Sequence, residues 1–127
     1  MNITTLLEMA VDAFPDRIAA TTKGGRLTYS QMLDASRSGA QILRSANARY
    51  AALLDVNSAA APAVLFAAAF AEIPYVPLNY RLTDAELTAL VSRISPAVLV
   101  SGKDGMARLH LPDGIRVIER DAWIAAA

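Results

Sequence analysis

At 127 residues the chain is one domain's worth of polypeptide, long enough to bury a core of its own. Hydrophobic residues make up 54% of it and charged residues 19%, a balance that implies either a large buried fraction or a face that lies against something else. Twelve basic residues offset twelve acidic ones and cysteine is absent; this excludes a net field toward nucleic acid or anionic membrane, disulfides, thiolate zinc sites and a Cys nucleophile.

Taken in order, residues 1–14 (MNITTLLEMAVDAF) carry neither the basic leader nor the small-residue cleavage site of a signal peptide. Thr5 and Glu8 have capping-box spacing, and Leu6, Leu7, Ala10, Val11 and Phe14 then form one helical stripe. Pro15 stops that helix by pushing Phe14 out of the α region. Two short strands, 17–21 and 26–28, flank an expected hairpin turn at Lys23-Gly24-Gly25. Thr28 and Gln31 form a second box opening a long helix. Its buried stripe is Tyr29, Met32, Leu33, Ser36, Ala40 and Leu43, and Gly39 lets a neighbour come close. Asn47 terminates it.

Tyr50–Leu54 is an apolar run suited to a strand buried on both faces, with Asp55-Val56-Asn57-Ser58 as the loop at its carboxyl end. Ala60–Ala71 is a helix apolar nearly all round, hence buried on more than one side, with Pro62 in its first turn. The apolar run 59–71 is about thirteen residues, against roughly 20 for a bilayer span, so no membrane span is expected. The stretch 73–87, IPYVPLNYRLTDAEL, reads as a strand, a proline stop at Pro77, a turn, and a third capping box, Thr83 with Glu86. The helix Asp84–Arg93 ends at Ser95-Pro96. A strand over 97–100, a turn at Ser101-Gly102-Lys103-Asp104-Gly105, an irregular stretch or single helical turn over 106–111, and a last strand over 115–118 follow. Asp121 is positioned to cap a terminal helix. The expected fold is a single α/β domain over 1–127. It has a mostly parallel sheet with helices on both faces, preceded by an N-terminal helix and a short hairpin.

Few residues carry chemistry. His110 is the sole histidine and stands near no Cys or carboxylate cluster in sequence, so a surface role is favoured over a triad. Residues 101–105 are not the G-x-x-x-x-G-K-[ST] phosphate loop, and no G-x-G-x-x-G occurs. Asp55 lies at the edge where open α/β sheets bind ligands. A receiver domain would place its phosphoacceptor there, but would also need an early acidic pair after an opening strand. Here Asp12 and Asp16 flank Phe14-Pro15. The simpler role is an Asx turn from Asp55 to the amides of Asn57 or Ser58. Asn79 is expected to hold its turn and Arg81 to pair with a carboxylate or carbonyl.

The order of pieces resembles the N-terminal part of an adenylate-forming enzyme of the acyl-CoA synthetase type. Phe14-Pro15-Asp16, a strand at Ile18-Ala19-Ala20, Leu27-Thr28-Tyr29, Asn57-Ser58, Val76-Pro77-Leu78-Asn79 with Arg81-Leu82-Thr83, and Glu86-Leu87 carry the likeness. The compact Pro-Leu-Asn-Tyr-Arg-Leu-Thr loop is more similar to acyl- or aryl-CoA ligases than to peptide-synthetase adenylation domains. A Gly-Asp turn usual before the strand that ends at Asn57 is missing from residues 45–50. The resemblance implies ATP, Mg2+ and CoA for a full-length parent. That family's Ser/Thr/Gly-rich phosphate loop, acidic ribose and magnesium residues and catalytic lysine come later than Ala127. No catalytic, cofactor-binding or metal residue is therefore assigned. The chain is expected to be an inactive structural portion, cytoplasmic, partnered by the remainder of the parent enzyme and by itself through an uncovered apolar face.

Overall fold

Proline stops and two Thr-headed capping boxes set several of the element boundaries. The computed structural model describes residues 3–22, 25–55, 60–109 and 111–125. The elements are α1 (Ile3–Ala13), β1 (Ile18–Thr22), β2 (Gly25–Thr28), α2 (Tyr29–Ser45), β3 (Tyr50–Leu54), α3 (Ala60–Ala71) and β4 (Tyr75–Pro77). They continue with α4 (Asp84–Arg93), β5 (Ala97–Ser101), α5 (Lys103–Met106), β6 (Ile115–Glu119) and α6 (Arg120–Ala125).

Helix α1 is already under way at Ile3, so the box expected at Thr5 does not mark its start. The inward line is Thr4, Leu7 and Val11, at spacings of three and four. Leu6 and Phe14, expected in the buried stripe, are 54% and 48% exposed; the Phe14 ring instead carries the Arg17 guanidinium 4.3 Å from its centroid. Strands β1 and β2 pair antiparallel with Thr22 opposite Gly25, so they form the expected hairpin, although the turn at Lys23-Gly24 lies outside the described residues.

Helix α2 opens on a complete capping box. The Thr28 Oγ1 accepts from the Gln31 amide at 3.2 Å, and Gln31 Oε1 accepts from the Thr28 amide at 2.9 Å. It closes on Asn47 at φ 52, where Ala48 N–H donates to the Leu43 carbonyl and Asn47 N–H to the Arg44 carbonyl, both at 3.1 Å. This is the paired C-terminal motif that asparagine tolerates better than most residues. Helix α3 ends the same way, but with Glu72 at φ 61.

The main sheet has the order β4-β3-β5-β6, parallel throughout. Alternation along the strands divides the core in two. Ala51, Leu53, Val98 and Val100 face α1, α2, α3 and α6, while Ala52, Leu54 and Leu99 face Leu87 and Val91 of α4. Helix α3 carries the chain from β3 to β4 on one flank; α4 carries it back past β3 to β5 on the other. Crossovers of one hand that run in opposite directions along a sheet must lie on opposite faces, which is why both faces are covered. Pro77 takes the last position of an edge strand, where its missing N–H costs no ladder bond.

Gly39 does what its position suggested. A Cβ there would lie 2.9 Å from the Ala67 Cβ and 3.0 Å from Trp123 Cε2, and nearer still to Trp123 Cζ2. The glycine thus forms the socket in which α6 seats its fully buried indole. Helix α6 is capped by Glu119, not by Asp121. The Glu119 Oε2 accepts from the amides of Asp121 at 2.7 Å and Ala122 at 3.1 Å, because the helix begins two residues earlier than Asp121 as its cap would require. Among the described residues no helix is long and apolar enough to cross a membrane.

Candidate functional site: the cleft at the carboxyl edge of the sheet

From β3 the chain departs to β4 on one side and later returns to β5 on the other. Where a parallel sheet reverses direction like this, the loops at the strand carboxyl ends splay apart and leave a crevice. A cleft of about 340 Å³ opens there. Its walls are Leu54 and Asp55 from the end of β3, residues 102–105 after β5, Tyr80 after β4, and the guanidinium side chains of Arg108 and Arg120.

Asp55 is the centre of this edge. Its side chain is 4% exposed, and a polar group so enclosed needs a hydrogen-bonding partner. Arg120, at the start of α6, supplies it: Nη1 donates to Asp55 Oδ1 at 2.7 Å. The charge of Asp55, then its hydrogen bond, keep the Arg120 guanidinium protonated even beyond its ordinary range. Gly102 stands between the two, since a Cβ there would lie 3.2 Å from Asp55 Oδ1 and 3.4 Å from Arg120 Nη1. The ion pair therefore ties β3 to the end of β6 across the exit of β5. The Asx turn expected from Asp55 to Asn57 or Ser58 falls outside the described residues. The receiver-like alternative is not favoured. Its phosphoacceptor would have to be open to an incoming phosphoryl group, whereas Asp55 is buried against a guanidinium. Among the described residues no group of three or more His, Cys, Asp or Glu side chains could hold its magnesium.

The wall after β4 is a second built unit. Asn79 holds the turn as expected, accepting from the Arg81 amide through Oδ1 at 3.0 Å and from the Leu82 amide through its carbonyl at 3.1 Å. Arg81 makes no carboxylate pair among the described residues; its guanidinium lies 5.9 Å from the Tyr80 ring centroid. The Thr83–Glu86 box is complete, with both bonds at 3.1 Å. The Thr83 amide, and after it the Thr83 hydroxyl bond, hold the Glu86 carboxyl below its usual range. Arg108 fastens this unit to the loop after α5. It donates to Asp84 Oδ1 at 2.7 Å, to the Tyr80 carbonyl at 2.6 Å and to the Leu82 carbonyl.

The segment 101–105 is not a plain turn. Ser101 closes β5 and Lys103–Met106 winds one helical turn, α5. Gly105 is required at its heart, for a Cβ there would come within 2.5 Å of Ser101 Oγ and 3.0 Å of Leu54 Cδ2. Ser101 Oγ is buried and donates to the Gly102 carbonyl at 2.9 Å, so it is no nucleophile. His110 lies outside the described residues.

Chemically, the cleft's wall carries three cations, Lys103, Arg108 and Arg120, and two carboxylates, Asp55 and Asp104, with Asp55 paired to Arg120 and Arg108 to Asp84. The N–H donors that these pairs leave over can hydrogen-bond an anionic group. Among the described residues no group of three or more His, Cys, Asp or Glu side chains gathers at this edge. Sequence reading missed Arg108 and Arg120 because nothing local links Arg120 to a carboxylate 65 positions earlier. The glycines at 102 and 105 were the available signal of close approach.

No curated protein sequence matches the chain. Solved structures do. A benzoate CoA ligase from Burkholderia xenovorans LB400 is similar at TM-score 0.86 and 18% identity, over 100% of this chain and 29% of that one. A fatty acyl CoA synthetase from Mycobacterium tuberculosis is similar at 0.81 and 22%, over 98% and 28%. The nonribosomal peptide synthetase FmoA3, bound to α-methyl-L-serine-AMP, is similar at 0.81 and 17%, over 95% and 14%. At such identities the likeness establishes the fold, and the chain spans less than a third of the length of each of these three structures. The sequence model of the family described as AMP-binding enzyme matches residues 7–126. By that match over nearly its whole length, the chain belongs to the AMP-binding enzyme family.

Proposed function

We propose that the chain is the N-terminal structural portion of an ATP-dependent acyl-CoA synthetase. In such a parent a carboxylate attacks the α-phosphate of ATP, giving an acyl-adenylate and pyrophosphate, and the thiol of CoA then displaces AMP to give the thioester. The observation that carries the reading is the family match over 7–126 together with the compact loop from Pro77 to Thr83. That loop, held by Asn79 and Arg108, resembles those of acyl- and aryl-CoA ligases. ATP, Mg2+ and CoA belong to the parent. The role of this segment is to supply the parallel sheet, its two helical layers and the cation-lined edge beside them, and it turns over nothing alone. A cytoplasmic location and a place in fatty acid metabolism go with this reading.

The partners are the remainder of the parent and, for the chain alone, a second copy. Support for the latter is the row Ile3, Leu6 and Met9 on α1, all at least 36% exposed. Calorimetric titration of the chain with MgATP is expected to show no heat of binding, and a saturable heat would contradict its catalytic emptiness. Incubating the intact gene product with carboxylic acids, ATP and CoA is expected to yield AMP and acyl-CoA; AMP-ester formation without thioester would refute the CoA-ligase assignment.

A further inference from the structure

We propose that the seam between α2 and α3 is a docking groove for an acidic amphipathic helix of a partner protein. The seam lies on the helical layer, away from the carboxyl-edge cleft, and the proposal does not depend on the acyl-CoA reading. Two adjoining depressions, of about 410 and 280 Å³, share Arg44 and run from Arg37 to Ile73. Their floor includes the half-buried rings and chains of Phe70 and Ile73, and their rim is exposed Arg37, Gln41, Arg44 and Asn47.

The charged side chains that line the two depressions are Arg37 and Arg44. Arg37 lies over the Phe70 ring at 5.9 Å, and Arg44 donates to the Phe70 carbonyl at 2.7 Å. Neither makes an ion pair among the described residues, and no carboxylate lines either depression. The contacts they do make fix both guanidiniums at the lip of the groove with N–H donors to spare, since each has five. Seven residues apart on one helix, they stand about 10 Å from each other.

That spacing selects the occupant. A helix laid along the seam presents carboxylates at i and i+7 over the same distance, with the apolar residues between them meeting Phe70 and Ile73. Two cations are too few for a polyanion, because membrane surfaces and nucleic acids take clusters of about four or more. A second copy does not fit: none of this chain's described helices carries acidic residues seven apart.

A display library of helical peptides, randomised at the exposed positions, tests this against the intact chain. The expected winners carry two acidic residues seven apart flanking leucine or phenylalanine. They bind a chain with Arg37→Glu and Arg44→Glu at least about tenfold more weakly, as two screened ion pairs warrant. Arg37→Glu alone, which keeps the bond from Arg44 to α3, is expected to weaken binding about threefold, with circular dichroism unchanged. Winners without acidic residues, equal binding to the charge-reversed chain, or amide shifts mapping to α1 or to the carboxyl-edge cleft would overturn the proposal. So would loss of self-association in the charge-reversed chain, which would make the seam a contact between copies.

Discussion

Replacing Gly39 by alanine tests whether the buried Trp123 of α6 is seated in a socket on α2. In an exposed helix interior the change would stabilise by about 1 kcal/mol, the difference in helix propensity. Here the added Cβ would lie 2.9 Å from the Ala67 Cβ and within 3.0 Å of two indole carbons. Ala67 and Trp123 are both fully buried, so neither can swing into solvent and α2 must back away from α3 and α6. Overpacking of that kind costs about 1–3 kcal/mol, and with two immobile neighbours the upper half of the range applies. Net of propensity, Gly39→Ala is expected to lose about 1–2 kcal/mol. This lowers the urea midpoint by about 1 M for a slope near 1.5 kcal/mol/M. Trp123 is the only tryptophan, so its emission reports the transition directly. Combining Gly39→Ala with Trp123→Phe, followed by circular dichroism, should recover about 1 kcal/mol as coupling between touching residues. A Gly39→Ala chain as stable as the parent, or additive double-mutant effects, would refute the packing of α6 into α2.

Three further outcomes follow from the caps and the cleft. Arg120→Met leaves Asp55 buried without its guanidinium and is expected to cost about 1–3 kcal/mol by chemical denaturation, the lower end reflecting Arg120's own partial exposure; an unchanged midpoint would mean the pair ties nothing together. Glu86 has a carboxyl pKa held below its ordinary 4.5 in the folded chain, so its contribution is complete above about pH 4.5 and is lost as pH falls through the lowered folded value. Glu86→Gln, which keeps the box but not the titration, should flatten that part of the acid limb. Glu72→Gly relieves a left-handed residue at the end of α3 and should raise stability by about 0.5–1 kcal/mol in thermal melts, whereas a loss would show that the turn is unstrained.

Local signals were legible, and distant ones were not. The bounds of β3, β4 and α4 follow from short apolar runs, Pro77 and the Thr83–Glu86 box, because each acts within four residues of itself. Asn47 was readable as a stop for the same reason. The reading of α1 missed its start, because the box at Thr5 lies inside the helix, and took too wide a stripe, because the core covers only the line Thr4, Leu7 and Val11 and leaves Leu6 and Phe14 exposed. Gly39 announced a close approach without saying what approached, since Trp123 reaches it only through the fold. The cleft depends on Arg108 and Arg120, whose partners lie 24 to 65 residues away, and no sequence pattern links them. Membership of the family was legible because the Pro77–Thr83 loop combines several weak constraints in a fixed order.

Whether the chain is the opening part of a longer synthetase is decided by sequencing its reading frame further downstream. A Ser/Thr/Gly-rich phosphate loop is expected downstream of Ala127, as the resemblance to acyl-CoA synthetases implies. A stop codon directly after Ala127 would contradict it, and would make the chain a binding module that keeps the family's fold without its chemistry.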